Sequence, residues 1–276
     1  MKIFLAVTSL LPDYGGPAFS VSRLAAALAD AGAEVALWAS DQSAAQSSLL
    51  PSTSCVQRIT GSASEALDAF RDVEVLHDNG IWLLHNHLLA TLAEKRGILR
   101  VVSTRGMLEP WALSHKPFKK RLAWRLYQER DLKRARCHIT SGEVEARNLQ
   151  RFELGVPIVT IPNGIDMPEE LTGKVTRELS RGGDGQQNLA LFLGRIYPIK
   201  GLPMLIEAWA RVRPEGWLLR IAGPDEAGHL RQVERAVSAA GLGRVVSFPG
   251  PIEPERKKAA FMDADLFILP SHSESF

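Results

Sequence analysis

The sequence predicts an α/β protein of two doubly wound domains, and three observations lead there. Apolar runs one strand long alternate with helix-length amphipathic segments along nearly the whole chain, the pattern of right-handed βαβ units and parallel sheets covered by helices. The alternation breaks once, at the polar, glycine-rich stretch Arg181-Gly-Gly-Asp-Gly-Gln-Gln-Asn188, which reads as a linker. The 276 residues, 45% of them hydrophobic, suffice for two cores of moderate size.

Taken in order, strands are expected at 3–8, 34–39, 73–77, 99–103, 137–140 and 158–161, and helices at 18–31, 65–71, 82–96, 118–136 and 143–152. Gly32 and Gly97 stand where two of these helices stop. The Ser/Gln-rich segment 40–54 is expected as a loop. Beyond the linker, strands are expected at 189–193, 217–222, 245–248 and 266–269, with helices at 202–212, 226–240 and 255–262 between them. The domains are then 1–166 and 189–276, joined by 167–188. Ligands of such folds bind beyond the carboxyl ends of the strands, which for two domains means the cleft between them.

The bulk numbers exclude several classes. A net charge of +2 argues against a wholesale nucleic-acid binder. Cys55 and Cys137 are too few for a disulfide framework or a four-cysteine zinc site and fit a reducing, cytoplasmic setting. No apolar run approaches the ~20 residues that span a bilayer. The N-terminal Met1-Lys-Ile-Phe-Leu-Ala-Val reads as a buried first strand rather than a signal peptide, because Pro12 and Gly15-Gly16 break the run and no small-residue cleavage site follows. No G-x-G-x-x-G occurs, so the usual dinucleotide fingerprint is absent.

The most informative stretch is Leu191-Phe-Leu-Gly-Arg-Ile-Tyr-Pro-Ile-Lys-Gly201. A strand runs into Gly194, the cations Arg195 and Lys200 follow on a short loop, and Gly201 opens a helix. Backbone amides, a helix N-terminus and two full charges favour a phosphorylated ligand; two surface cations on an ordinary strand–helix loop are the plainer alternative. Gly15-Gly16, between the first strand and first helix, allows close approach of a ligand or simply turns the chain. Asp263-Ala-Asp265 has the D-x-D form of a metal site but lacks supporting ligands and reads as a strand entry, so no metal is expected. His77 ends a strand at the expected ligand edge, whereas His85 and His87, two apart on a helix, are expected at the surface.

Segment 115–136 sets nine cations (Lys116, Lys119, Lys120, Arg121, Arg125, Arg130, Lys133, Arg134 and Arg136) against Glu129 and Asp131, a net +7. Phe118, Leu122 and Leu126 form an i, i+4 stripe, with Trp124 and Tyr127 beside it. Such a helix either lies on anionic lipid or captures a phosphate-bearing acceptor, or it packs the stripe into the core beneath a solvated basic face.

Together these residues resemble the family-4 (group 1) retaining glycosyltransferases of the GT-B fold. The anchors are Gly15-Gly16-Pro17-Ala18, Ile161-Pro-Asn-Gly-Ile-Asp166, Leu193-Gly-Arg-Ile-Tyr-Pro-Ile-Lys-Gly201, Ile221-Ala-Gly-Pro-Asp225, and Ala264-Asp-Leu-Phe-Ile-Leu-Pro-Ser-His-Ser-Glu-Ser-Phe276, in the family's order. Ser103-Thr-Arg-Gly-Met-Leu-Glu-Pro-Trp-Ala112 is similar to the branch that builds bacterial surface polysaccharides. The resemblance implies two Rossmann-like domains facing a cleft. It also implies metal-free transfer of a sugar, with retained configuration, from a nucleoside diphosphate donor to a saccharide or polyprenyl-phosphate-linked acceptor.

In that resemblance Arg195 and Lys200 hold the donor diphosphate, Gly15, Gly16 and Gly223 lie near the phosphate and reacting sugar, Glu274 bonds sugar hydroxyls, and Ser275 and Phe276 cradle phosphate. Arg105 stands where many members carry a catalytic-site histidine, and His77 matches a histidine of the branch. Lys116, Lys119, Lys120, Arg121, Trp124 and Arg125 are expected to meet the acceptor or the inner face of the cell membrane. The family motif continues past Phe276 to a second glutamate, so the second domain is expected to be incomplete, with its strand 266–269 left partly uncovered. Two other readings stay open: a non-catalytic fragment that binds a sugar nucleotide or docks on a partner, and a GT-B sugar-nucleotide epimerase.

Overall fold

The computed structural model describes residues 1–50, 54–164, 187–272 and 274. The chain divides into two compact units, with Met1–Asp166 in the first and Met167–Glu274 in the second. Most of the expected linker, the end of the Ile161–Asp166 anchor, and Ser275 and Phe276 lie outside the described residues.

The first unit contains β1 (Lys2–Val7), α1 (Gly16–Asp30), β2 (Glu34–Ala39), β3 (Gln57–Ile59), α2 (Ala63–Ala69), β4 (Val75–Asn79), α3 (Leu84–Arg96) and β5 (Leu99–Ser103). It continues with α4 (Pro110–Ser114), α5 (Pro117–Ala123), a π-helical turn (Trp124–Gln128), α6 (Glu129–Lys133), β6 (Cys137–Thr140), α7 (Glu143–Gln150) and β7 (Ile158–Thr160). The seven strands pair in the order β3-β2-β1-β4-β5-β6-β7, all parallel.

Side chains alternate across this sheet. Ile3, Leu5 and Val7 meet Val21 and Ala25 of α1 on one face. Phe4, Ala6 and Leu76 meet α2 and α3 on the other, where Val102 also meets Leu132 and Leu149. Beside α1, the first face opens into a groove of about 460 Å³ along Val75, Val101 and Ile139. The strand order reverses between β1 and β4, so the ligand-binding position of this unit lies beyond Val7 and Asn79.

The second unit contains β8 (Asn188–Leu193), α8 (Leu202–Val212), β9 (Trp217–Ala222), α9 (Leu230–Ala239), β10 (Val246–Gly250), α10 (Pro254–Asp263) and β11 (Leu266–Phe267). Its parallel sheet runs β10-β9-β8-β11. Phe192, Leu219 and Ile221 pack on Leu205 and Trp209 of α8 and Val233 of α9, while Leu191 and Ala222 pack on Ala260 of α10. Here the order reverses between β8 and β11.

Several elements differ from the sequence expectation. β4 runs on through His77, Asp78 and Asn79, all buried, because Arg100 and Asn86 pair with Asp78 and the Asn79 amide donates to the Ala6 carbonyl. Trp82 has φ 80 and lies ahead of α3 rather than inside it. The expected helix 118–136 is continuous from Pro117 to Lys133 but carries a π-helical segment at Trp124–Gln128. β3 and α4 had no expected counterpart, and α9 begins at Leu230 because Asp225 Oδ1 accepts the Leu230 N–H at 2.9 Å. His85 and His87 are half-buried, not on the surface, and His87 Nδ1 lies 2.6 Å from the buried Asp131 carboxylate. The stripe expected as one possible core face is exposed, Phe118 at 81%, Leu122 at 61% and Leu126 at 67%.

Candidate functional site

In the second unit, Arg195 and Lys200 stand at the switch between β8 and β11. The loop beyond β8 is zipped to the loop beyond β9. Gly194 N–H donates to Ala222 O, Ile196 N–H to Pro224 O, and Glu226 N–H to Ile196 O. Gly223 makes this approach possible: at φ +146, a Cβ there would fall 1.8 Å from the Gly194 carbonyl oxygen. Gly201, at φ +64, likewise leaves no room for a Cβ, which would meet Pro270 O at 2.2 Å. Gly223→Ala is therefore expected to destabilise the second unit by about 2–4 kcal/mol, through backbone strain and collision, read as a lower urea midpoint for the transition of that unit.

Both cations already hold carboxylates. Arg195 Nη1 donates to Glu226 Oε2 at 2.5 Å, and its guanidinium lies 5.9 Å from the Tyr197 ring centroid. Lys200 Nζ donates to Glu274 Oε1 at 2.5 Å, and Ser271 Oγ donates to the same oxygen. The arrangement brings Glu274 onto Lys200 from 74 residues away. The Lys200 and Glu274 side chains are 15% and 22% exposed, so an incoming anion would compete with an internal carboxylate for a partly desolvated ammonium. Asp265 serves strand entry: its Oδ2 accepts the Leu189 N–H at 2.8 Å.

In the first unit, His77 and Arg105 come together at the polar end of the groove. His77 Nε2 lies 2.8 Å from Ser103 Oγ. Burial, followed by the nearby Arg105 charge, pulls its pKa down to about 3, so the ring is neutral at physiological pH. Arg105 Nη2 donates to Asn79 Oδ1 at 2.6 Å and Nη1 to Asn163 Oδ1 at 3.0 Å. Burial lowers its pKa and the Glu145 charge acts against that; a guanidinium so lowered stays protonated. Gly15, at φ 84, caps the turn before α1, and Gly16 is the first residue of that helix, with open space where a Cβ would stand.

Three residues of this cluster, Asn79, Glu145 and Asn163, had no role in the sequence reading. Asn163 stood inside a quoted anchor, and an Asn-Gly pair just past a strand is the signal that marks it. Of the basic segment, Lys116, Lys119, Arg121 and Arg125 are exposed. Lys120 and Trp124 instead turn inward. Lys120 Nζ donates to Ala112 O and sits 5.6 Å from the Trp82 ring centroid, and Trp124 packs on Trp82 and Phe152.

The sequence matches the family model of the glycosyl transferase 4-like domain over residues 15–164 and that of the glycosyl transferases group 1 over residues 179–276. The D-inositol 3-phosphate glycosyltransferase of Geodermatophilus obscurus is 30% identical over 128 residues, covering 43% of this chain. The chain spans only 28% of that relative's length in this match. Among solved structures, the sucrose-phosphate synthase of Thermosynechococcus elongatus superposes with a TM-score of 0.78 at 19% identity, covering 100% of this chain and 77% of that one. HepE of Anabaena in complex with UDP and glucose gives 0.70 at 18% identity, covering 100% and 76%. These likenesses establish the fold class as GT-B.

Proposed function

This chain belongs to the group 1 glycosyltransferases, and from that premise we propose that it moves a sugar from a nucleoside diphosphate donor to a saccharide or polyprenyl-phosphate-linked acceptor in bacterial surface polysaccharide synthesis. The observation that supports it best is the placement of the Arg195–Glu226 and Lys200–Glu274 pairs on the loop beyond β8, at the switch point of the second sheet. Arg195 and Lys200 take the diphosphate and neutralise it as it leaves, a role a metal ion fills in other transferases. Lys200 then exchanges Glu274 for phosphate, which frees Glu274 to accept hydrogen bonds from sugar hydroxyls. In the first unit, Gly16 leaves open space at the start of α1 where a substrate can approach the backbone.

In the first unit, Arg105 bonds a substrate oxygen, and His77 lines the same groove as a neutral group. Neither takes a proton at neutral pH: His77 titrates near 3 and Arg105 has no free base form. The sugar C1–O bond to the diphosphate breaks, the C1–O bond to the acceptor forms on the same face, and the acceptor's proton passes to the departing diphosphate. Incubation of the chain with UDP-glucose and a saccharide acceptor, followed by proton NMR of the product, tests this. A product with the donor's anomeric configuration is expected, and an inverted product would overturn it.

The exposed stripe supports a further part of the reading, peripheral contact with an anionic membrane on the inner face. Phe118, Leu122 and Leu126 would enter the headgroup region while Lys116, Lys119, Arg121 and Arg125 meet lipid phosphate. No helix among the described residues is long and apolar enough to cross a membrane. Vesicles with one-third phosphatidylglycerol should retain the chain in a flotation assay. Leu122→Asp and Leu126→Asp should each weaken retention by about tenfold or more, from the apolar area lost.

A further inference from the structure

Glu145 lies in the first turn of α7, yet its side chain is buried at 4% exposure. Its carboxylate accepts four hydrogen bonds. Oε1 takes the Thr104 hydroxyl at 2.6 Å and the Gly106 N–H at 2.6 Å, and Oε2 takes the Ser141 N–H at 2.9 Å and the Ser141 hydroxyl at 3.0 Å. That accounts for the accepting capacity of an ionised carboxylate. The two bonds on Oε1 bracket Arg105, whose φ of 51 is a left-handed conformation unfavourable to a residue with a side chain. A strained residue persists only where its surroundings over-determine it. Anchored on both sides, Arg105 projects its guanidinium between Asn79 and Asn163; a relaxed, negative φ would swing it away from both.

We propose that Glu145 is the positioning residue of Arg105: its buried carboxylate pins the Thr104–Gly106 turn and thereby fixes where the guanidinium meets substrate. This deepens, and rests on, the reading of Arg105 as a substrate-facing cation. Glu145 lines the same groove, but both its oxygens are engaged within the fold, so it acts through the turn. A glutamine cannot replace it. One of the two donor sets then faces an amide NH₂, and a buried N–H is left unpaired.

The test uses the 276-residue chain with ¹⁵N-labelled arginine, following the Nε–Hε correlations by NMR, with Arg105→Lys assigning the Arg105 signal. The wild-type signal is expected to be sharp and displaced from the exposed arginines, and to collapse into their envelope in Glu145→Gln. An Arg105 signal unchanged in Glu145→Gln would overturn the proposal. Should that variant fail to melt cooperatively, Thr104→Val keeps the carboxylate while removing one Oε1 donor. A shifted and broadened Arg105 signal there supports the proposal, and an unmoved one overturns it.

UDP-glucose titration separates the two layers of the reading. Glu145→Gln should lose as much UDP-glucose affinity as Arg105→Lys, with no further loss in the double variant. Loss in Arg105→Lys without loss in Glu145→Gln overturns the positioning role. If UDP-glucose neither moves the Arg105 signal nor loses affinity in Arg105→Lys, the substrate-facing reading falls, while a collapsed signal in Glu145→Gln still upholds the pinning of the turn.

Discussion

Arg100→Met is expected to destabilise the first unit by about 3–5 kcal/mol, the cost of stranding a buried charge. Arg100 and Asp78 have side-chain exposures of 3% and 0%. Arg100 Nη2 donates to Asp78 Oδ2 at 2.8 Å and Nη1 to the Asp131 carbonyl at 2.9 Å, while Asn86 Nδ2 donates to Asp78 Oδ1 at 2.8 Å. Burial pushes the Asp78 pKa up, and Arg100 is the main force against it. Without Arg100 the carboxylate must stay ionised in an apolar layer or bind a proton. Arg100→Met combined with Asp78→Leu removes both charges and should recover most of the loss. An unfolding free energy from urea titration of Arg100→Met within about 1 kcal/mol of wild type would show that the pair does not hold the face together.

Acidification should unfold the first unit well before its surface carboxylates titrate. His77 is held down to a pKa of about 3 by burial and then Arg105, and His138 to about 4 by burial and then Arg100, both from 6.5. The folded state keeps these rings neutral while the unfolded chain binds protons below 6.5. Their contribution is thus complete above pH 6.5 and is lost as pH falls toward 4. Each should remove on the order of 1.4 kcal/mol per pH unit in that window. Stability measured in urea at pH 7.5, 6, 5 and 4 checks the slope. His138→Phe, which has no site for the proton, should roughly halve it, and an unchanged slope would exclude His138 as a source.

The sheets were legible because their strands are apolar and separated by helix-length segments. β8, α8 and β9 fall within a residue of expectation, since their cores are local apolar runs. The misjudged places are those where distant residues override local pattern. His77-Asp78-Asn79 reads as a polar strand end, but Arg100, 22 residues on, makes burial of Asp78 possible. Trp82 fits a helical pattern, yet the Tyr127 hydroxyl donates to its carbonyl and its N–H donates to Gln128, which holds it outside α3. β3 is three residues long with two of them exposed, so no apolar run announced it.

The same limit applies to the candidate site. Arg195 and Lys200 were visible because a glycine turn and a helix start adjoin them in sequence. Their carboxylate partners, 31 and 74 residues away, were not assigned to them. Nothing in the local sequence singles out Glu145, because its four donors come from residues 104, 106 and 141. The inward turn of Lys120 and Trp124 depends on tertiary contacts that helical periodicity does not encode.

Isothermal titration of UDP, GDP and ADP into the wild-type chain, Arg195→Ala and Lys200→Ala tests the donor clamp most directly. One nucleoside diphosphate should bind the wild type, and each variant should lose about 1–3 kcal/mol of that binding, the range of charge-assisted hydrogen bonds. Absence of binding by all three nucleotides, or equal affinity in the wild type and both variants, would contradict the assignment of Arg195 and Lys200 to the donor diphosphate.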